Sequence, residues 1–361
     1  MRFNAHCFLA FLFSYCPLGF SQEAKSSSQS VLDSFKVLYS HDPADLEVLF
    51  TISIQEKNPD SILKYADLLV KQSLRDSIHY KMVHNGYLQK GNAYRLKGDL
   101  ARALEEYFKS MDFALKINYQ AGIGKLYIAI ADSYSGNKNS TNAAIYYKKG
   151  IEVLSKGSDS LSLAKALINI GDEYFNTNQL DSALTYTTHA EVIFKNINSP
   201  LGQAFSLGNI GMVYAVQGRD ELAKTKINEA IKILEKLQDY YPISNYLTYM
   251  SDIYLRQGQR SIAVSYAKKS LELAQRYGLK EQISDANLKL YELYEKINDH
   301  PKALIYFKAH IQYRDSMNNI ESVQKMADFR TNFEVSQKQI EVDLLHQEKK
   351  NQLLNNLVLN K

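Results

Sequence analysis

His79 and His84 lie five residues apart, which on a helix puts them on different faces, and no His-Glu-x-x-His run is present to hold a zinc ion beside a general base. His189, His300 and His310 stand singly at helix or turn positions, where a partly buried or solvated structural histidine is the expected role. Gly122-Ile123-Gly124-Lys125 has the flavour of a phosphate loop. It lacks the earlier glycine and the hydroxyl residue after the lysine, and it follows a helix rather than a strand, so it reads as a turn. Cys7 and Cys16 are the only cysteines, and both fall in the apolar stretch that opens the chain. A chain processed behind that stretch carries no thiol for a disulfide, a metal site or a nucleophile. No catalytic constellation, cofactor site or metal site emerges, and the expectation is that the protein is not an enzyme.

The elements that could position binding residues show themselves as a repeat. Aligned against itself at a step of 40, the chain forms columns without a single insertion. Tyr94, Tyr134, Tyr174, Tyr214, Tyr254 and Tyr294 make one; Ala103, Ala143, Ala183, Ala223, Ala263 and Ala303 make another. Between them runs a turn column, Asn58, Gly98, Lys138, Asn178, Gly218, Gly258 and Asn298, where a helix must stop and the chain reverse. Ahead of the tyrosines lies a small column, Gly91, Ala131, Gly171, Gly211 and Ser251, which lets one helix approach the next. Each unit carries two apolar stripes of helical period, for example Leu207, Ile210, Gly211 and Tyr214, then Leu222, Ala223, Ile227, Ala230, Ile231 and Leu234. Neither helix buries its stripe alone, so neighbouring pairs must stack into an all-α solenoid of about seven helix pairs with one continuous core. Pro59 and Pro301 fall in turns within units; Pro43, Pro200 and Pro242 fall between units. Counting Gly211 as the eighth residue of its unit, the repeats run 44–83, 84–123, 124–163, 164–203, 204–243, 244–283 and 284–323. The first is degenerate, with Ile54 for the tyrosine and Leu63 for the alanine. The last is loosened, with Tyr291 in the small column and His310 where Ser110, Gly150, Ala190, Ala230 and Ser270 precede it.

This pattern resembles the tetratricopeptide repeat family, whose helix pairs carry small-x-x-Tyr on the first helix and a small residue on the second. The step of 40 is similar to that of the long-helix subgroup that grips extended peptides. The resemblance implies a concave face lined by first helices, on which an Asn two residues before the small position holds peptide backbone. The matching residues are Gln89, Ala129, Asn169, Asn209, Tyr249 and Lys289. An amide suits the task because it donates and accepts at once. Asn169-Ile-Gly and Asn209-Ile-Gly match the motif; Ala129 and Lys289 depart from it. One residue past the small position come Asn92, Asp132, Asp172, Met212, Asp252 and Glu292. Acids there either favour a basic ligand or form a solvated helix face. Arg95, Lys125 and Lys165 also lie toward this face, without the paired Lys-Asn clamp that holds a C-terminal carboxylate in chaperone-binding repeats. The peptide-binding candidates are therefore Asn169, Asn209, Gln89, Tyr249, Asp132, Asp172 and Asp252. The six tyrosines of the repeat column are expected to be core.

Residues 1–21 read as a signal peptide: Arg2 is the positive start, Cys7 to Phe20 is apolar, and Gly19-Phe20-Ser21 offers small-x-small before Gln22. The apolar run is shorter than a bilayer requires. An alternative makes Cys16 a lipid-bearing residue. Residues 22–43 form a lead-in, and 324–361 a long C-terminal helix in which Met326, Phe329, Phe333, Ile340 and Leu344 share roughly one face. Ser336 and Asp343 interrupt a strict heptad, so a coiled coil and homodimer are one arrangement the pattern allows. Tyr313-Arg314-Asp315-Ser316 and the amphipathic stretch after it resemble the connector of bacterial periplasmic sensors. Leu353 to Leu359 is too short and rich in Asn to span a membrane, so membrane association would need a further span or a lipid anchor. The net charge of +4 is too even for a nucleic-acid partner. The expectation is an exported, periplasmic scaffold that binds a peptide or protein partner, as the sensor part of a signalling system. The alternatives are a structural adaptor in envelope assembly, or a sensor kinase, nucleotide cyclase or transcriptional regulator without its output domain.

Overall fold

The computed structural model describes residues 22–315 together with Lys338, and side chains from Ser30 onward. The expected leader, 1–21, and, apart from Lys338, the expected long helix, 324–361, lie outside the described residues. The described chain is helical throughout: α1 Gln22–His41, α2 Leu46–Gln55, α3 Pro59–Ser73, α4 Tyr80–Leu96, α5 Leu100–Lys116, α6 Gln120–Gly136, α7 Ser140–Leu154, α8 Ser160–Asn176, α9 Leu180–Asn196, α10 Pro200–Val216, α11 Asp220–Leu237, α12 Tyr241–Arg256, α13 Arg260–Arg276, α14 Lys280–Lys296 and α15 His300–Asp315. From α2 onward these form seven hairpins of a first and a second helix, the α-solenoid expected from the columns. First helices of successive hairpins pack on one another, whereas second helices pack mainly on first helices, with Lys226 of α11 reaching Glu191 of α9 at 3.8 Å. The first helices are thus the inner layer and line the concave face.

Three-residue turns hold the period. At each one the repeat tyrosine supplies the third carbonyl from the helix end, and its oxygen accepts from the amide five residues on, as in Asp99 N to Tyr94 O at 2.9 Å. A left-handed residue sits between them, with φ of 76° at Gly98, 57° at Lys138, 58° at Asn178, 74° at Gly218, 76° at Gly258 and 61° at Asn298. This is the Schellman geometry that satisfies carbonyls orphaned at a helix end. The residue after it occupies the N-cap of the next helix, and in three turns its side chain caps it: Asp99 accepts from Arg102 N at 3.0 Å, Asn139 from Asn142 N at 3.1 Å and Asp299 from Lys302 N at 3.2 Å. One residue therefore ends one helix and starts another, leaving no room for an insertion. From α4 on, the first helices begin three or four residues ahead of the frame counted from Gly211, because apolar spacing fixes a period while caps fix its phase.

The first hairpin departs from its column. Asn58 is a helix cap at φ −78° rather than a left-handed turn residue, accepting from the amides of Asp60 and Ser61. The cap arrives one residue early, so α3 is shifted by one. Ile62, not Leu63, takes the buried alanine position, with Ala66, Leu69, Val70 and Ser73 behind it.

Elsewhere the columns pack as their sizes require. All six column alanines are buried. A Cβ on Gly211 would come within 2.7 Å of Ile227 Cγ1 and 3.2 Å of Ala223 O, the close approach the small column serves. Ser251 spends its hydroxyl on Ala263 O at 2.8 Å. A second tyrosine column lies on the second helices. Tyr146, Tyr186, Tyr266 and Tyr306 stack on Tyr134, Tyr174, Tyr254 and Tyr294 at 5.2–5.6 Å between ring centres. In the other two units an arginine covers the ring instead, Arg102 over Tyr94 at 4.7 Å and Arg219 over Tyr214 at 4.4 Å.

Candidate functional site

The residues nominated for backbone gripping meet each other first. Asn169 on α8 donates through Nδ2 to Asp132 Oδ1 on α6 at 3.1 Å, and Asn209 on α10 donates to Asp172 Oδ1 on α8 at 2.5 Å. Lys289 on α14 reaches Asp252 Oδ1 on α12 at 3.0 Å. Each pair joins the residue two before the small position to the residue one after it in the preceding hairpin, so the two columns form one ladder across the inner layer. Where the acid is missing, the amide or ammonium is missing too: Met212 stands in line with Tyr249, and Asn92 with Ala129.

Burial corrects the simplest picture of this face. Asn169 and Asn209 are each 2% exposed, so their amides are inner-layer struts rather than an open row. The acids do not share one environment: Asp172 is 4% exposed, whereas the Asp252 and Glu292 side chains are 29% and 43% exposed. Asp172 is buried, and that burial, with the Glu173 carboxylate beside it, pushes its carboxyl well above the usual range. Asp252 is bound to Lys289, whose charge the Asp252 and Glu292 carboxylates hold against the cost of burial. Tyr249 is buried with its ring edge-on to Phe175, 5.9 Å away and two hairpins back. With Tyr246 donating to Asn209 Oδ1 at 3.3 Å, this fills the concave side between α8 and α12. Gly208 admits that ring, since a Cβ there would lie 2.0 Å from it. Gln89 is half-buried and accepts from Asn92 at 3.3 Å.

The inner face opens between α4, α6 and α8. A cleft of about 180 Å³ is lined by Leu88, Asn92 and Arg95, by Lys125, Ile128, Ala129 and Asp132, and by Ser162, Lys165 and Asn169. Of the nominated residues it gathers Asp132 and Asn169, and it adds the three cations Arg95, Lys125 and Lys165. Two donors behind it come from second helices and were not anticipated: Tyr107 donates to Asn92 Oδ1 at 2.8 Å, and Tyr147 to Asp132 Oδ1 at 2.7 Å. Their signal was present as tyrosines 40 apart, hidden among 26. Burial raises the Asp132 pKa against the pull of Arg95 and of the Tyr147 and Asn169 hydrogen bonds. Burial lowers that of Lys165, and neighbouring Lys125 pushes the same way.

A tetratricopeptide-repeat profile matches residues 124–153, the α6–α7 hairpin, whose columns recur along the chain at the step of 40. That hairpin is a tetratricopeptide repeat, and the other hairpins share its columns and its fold. No curated protein matches it at a significant level. Among solved structures, the Cut9–Hcn1 hetero-tetramer of the APC/C is similar with a TM-score of 0.58 at 14% identity, over 84% of this chain and 52% of that one. A Rap protein complexed with competence and sporulation factor aligns at a TM-score of 0.52 and 12% identity, over 82% of this chain and 99% of that one. A signal-transduction ATPase with a tetratricopeptide repeat sensor, from Pyrococcus horikoshii, aligns at 0.52 and 17%, over 87% and 50%. At these identities the likeness is one of fold. Among the described residues no helix is long and apolar enough to cross a membrane, and no three His, Cys, Asp or Glu side chains gather as a metal site.

Proposed function

We propose that this repeat protein is an exported scaffold, without catalysis of its own, that holds an extended peptide or protein segment on its inner face as the sensor part of a signalling system. The observation that carries the reading is the change along the inner layer: ring and amide contacts fill it between α8 and α12, while it opens into a polar cleft between α4, α6 and α8. A closed stretch fixes the curvature, and the open stretch presents side chains from three consecutive hairpins to one ligand. The Rap structure in complex with a signalling factor and the sensor repeats of the signal-transduction ATPase support the same class of role, as does the leader-like start of the chain. A pull-down from envelope extract of the native host, with the full chain as bait, should recover a partner whose crosslinks map to α4, α6 and α8. Crosslinks confined to the second helices would move the reading to the structural-adaptor alternative. Export is checked separately. N-terminal mass analysis should find a mature chain beginning at Gln22, and intact Met1 in the cytoplasm would overturn the periplasmic placement.

A further inference from the structure

Three rungs tie the inner layer together, each from the residue one past the small position to the residue 37 further on: Asp132 to Asn169, Asp172 to Asn209 and Asp252 to Lys289. Between Met212 and Tyr249 other side chains fill the place of a rung, Asn245 Nδ2 lying 3.4 Å from Met212 Sδ and the Tyr249 ring lying against Phe175. Between Asn92 and Ala129 a methyl stands where the rungs carry an amide or ammonium, and both residues line the cleft of about 180 Å³. Asn92 is half-buried and spends half of its capacity, giving one hydrogen to Gln89 Oε1 at 3.3 Å and accepting one from Tyr107 at 2.8 Å. A carboxamide has two hydrogens and two lone pairs, so one of each is left to meet a group that both accepts and donates. The charges around Asn92 are matched within the chain. Asp159 binds Lys125 at 2.8 Å, and Asp132 attracts both Arg95 and Lys165. An entering carboxylate would face Asp132 and an entering ammonium would face Arg95, Lys125 and Lys165, whereas a neutral amide meets no like charge.

We infer that the cleft between α4, α6 and α8 binds a neutral carboxamide, the side-chain group of Asn and Gln, which completes the rung that Ala129 omits. Asn92 supplies one hydrogen and one lone pair, Ala129 supplies the space, and Leu88 and Ile128 supply an apolar wall for the carbon stem of the entering group. The inference rests on the scaffold reading for the chain that bears the group, but the cleft itself can be tested alone. Selectivity follows from the same pairing. An apolar group of similar size shuts solvent away from Asn92 without replacing its hydrogen bonds, a loss that falls only on the wrong ligand.

Ile128 lines the cleft, and its methyls report on it in wild type and variants alike. The full chain, methyl-labelled, is titrated with acetylated and amidated Gly-Asn-Gly, Gly-Gln-Gly, Gly-Met-Gly, Gly-Glu-Gly and Gly-Lys-Gly, and with propionamide. The peptide backbones are identical, so a difference in affinity belongs to the central side chain. The better of the Asn and Gln peptides should shift the Ile128 methyls and bind about tenfold more tightly than the Met peptide, as two net hydrogen bonds allow. Ala129→Asn, which builds the rung from the chain itself as Asn169 does, should abolish that preference, and Ala129→Ser, too short to reach Asn92, should retain it. Binding of the peptide tighter than propionamide assigns the group to a peptide, and the reverse assigns a free small amide; either upholds the carboxamide cleft. Equal affinities for the carboxamide and Met peptides, or tighter binding of the Glu or Lys peptide, would overturn it on wild type alone, and a preference that survives Ala129→Asn would do the same. The two readings fail separately. A pulled-down partner with no carboxamide preference sinks this inference and leaves the scaffold, whereas propionamide-shifted methyls with no partner recovered do the opposite.

Discussion

His84 shows how one side chain can write a pH dependence into a helix junction. It is buried, with Nδ1 2.9 Å from the Ser110 hydroxyl and the ring edge-on to Tyr119 at 5.5 Å. The same 26-residue spacing pairs Ser244 with Ser270 at 3.0 Å and Ser284 with His310 at 3.0 Å, so the junction accepts any small polar pair. Burial pushes the His84 pKa down from 6.5 to about 4, and Lys81 adds to the push. The folded state thus binds this proton more weakly than the unfolded one. Its contribution to stability is fully present above pH 6.5 and is lost as the pH falls toward 4, by up to about 3 kcal/mol. Glu281, raised to about 7 by burial, runs the other way, so the measurement must be a difference between two proteins. Denaturant unfolding of wild type and His84→Ser at pH 7.5 and pH 4 should show the variant gaining about 2–3 kcal/mol relative to wild type between the two. A constant gap would mean that His84 titrates as it does in water. The amide ladder gives a second residue-scale expectation. Asn209→Ala leaves the Asp172 carboxyl without its donor and Tyr246 with one acceptor fewer, and should cost about 1–3 kcal/mol. Asp172→Asn keeps an oxygen facing Asn209 and removes an acid that burial disfavours, so at pH 7.5 it should cost less than about 1 kcal/mol. If Asn209→Ala unfolds at the wild-type midpoint, the residue belongs to an exposed groove after all.

Turn chemistry, rather than apolar content, dictates the repeat at the scale of a helix hairpin. Left-handed backbone strains any residue with a Cβ, and Lys138 adopts φ 57° where Gly98, Gly218 and Gly258 hold the same place. Lys138→Gly should therefore stabilise by about 0.5–1 kcal/mol, read as a raised midpoint in thermal unfolding, and a lowered one would show that the lysine side chain does more than occupy the turn. Between paired helices the sign reverses: Gly211→Ala must move Ile227 and the Ala223 carbonyl, at an expected cost of about 1–3 kcal/mol. These two positions explain what was legible. Gly, Asn and Ala at fixed places announce a turn or a close approach, because few other residues fit them. The phase of the units, the slipped α3 with Ile62 in place of Leu63, and the left-handed turns between units at Asn118, Asn198, Gln238 and Gly278 were not read. They depend on which single residue caps a helix, and many residue types can do that. The same holds for the site. Asn169 and Asp132 could be named, but their hydrogen bond to each other could not, since it arises from the 37-residue offset between stacked helices.

At the scale of the molecule, among the described residues, every second helix but the last is covered by the first helix of the next hairpin. On α13 that cover buries Ala267, Ser270 and Ala274 completely. The equivalent residues on α15 are Phe307, His310 and Arg314, and Phe307 is 39% exposed, with Leu304 at 52% and Ile305 at 65% beside it. The same column holds Tyr107, Tyr147 and Ile227 in earlier hairpins, where the next first helix buries them, so an exposed Phe307 marks a surface for a partner. The sequence offers one in 324–361, where Phe329 and Phe333 lie four apart on one apolar stripe. If that stretch covers α15, Phe307→Ala and Phe333→Ala should each destabilise by about 1–3 kcal/mol, and the double variant by less than their sum. The coupling expected for side chains in contact is about 0.5–3 kcal/mol. Repeating the cycle over a hundredfold range of protein concentration separates the two ways of making that contact. A coupling that holds at every concentration places the stripe on its own chain, whereas one that grows with concentration places it on a second copy, in line with a dimer through this region. Zero coupling at all concentrations would free the stripe for a different surface and leave Phe307 to an external partner.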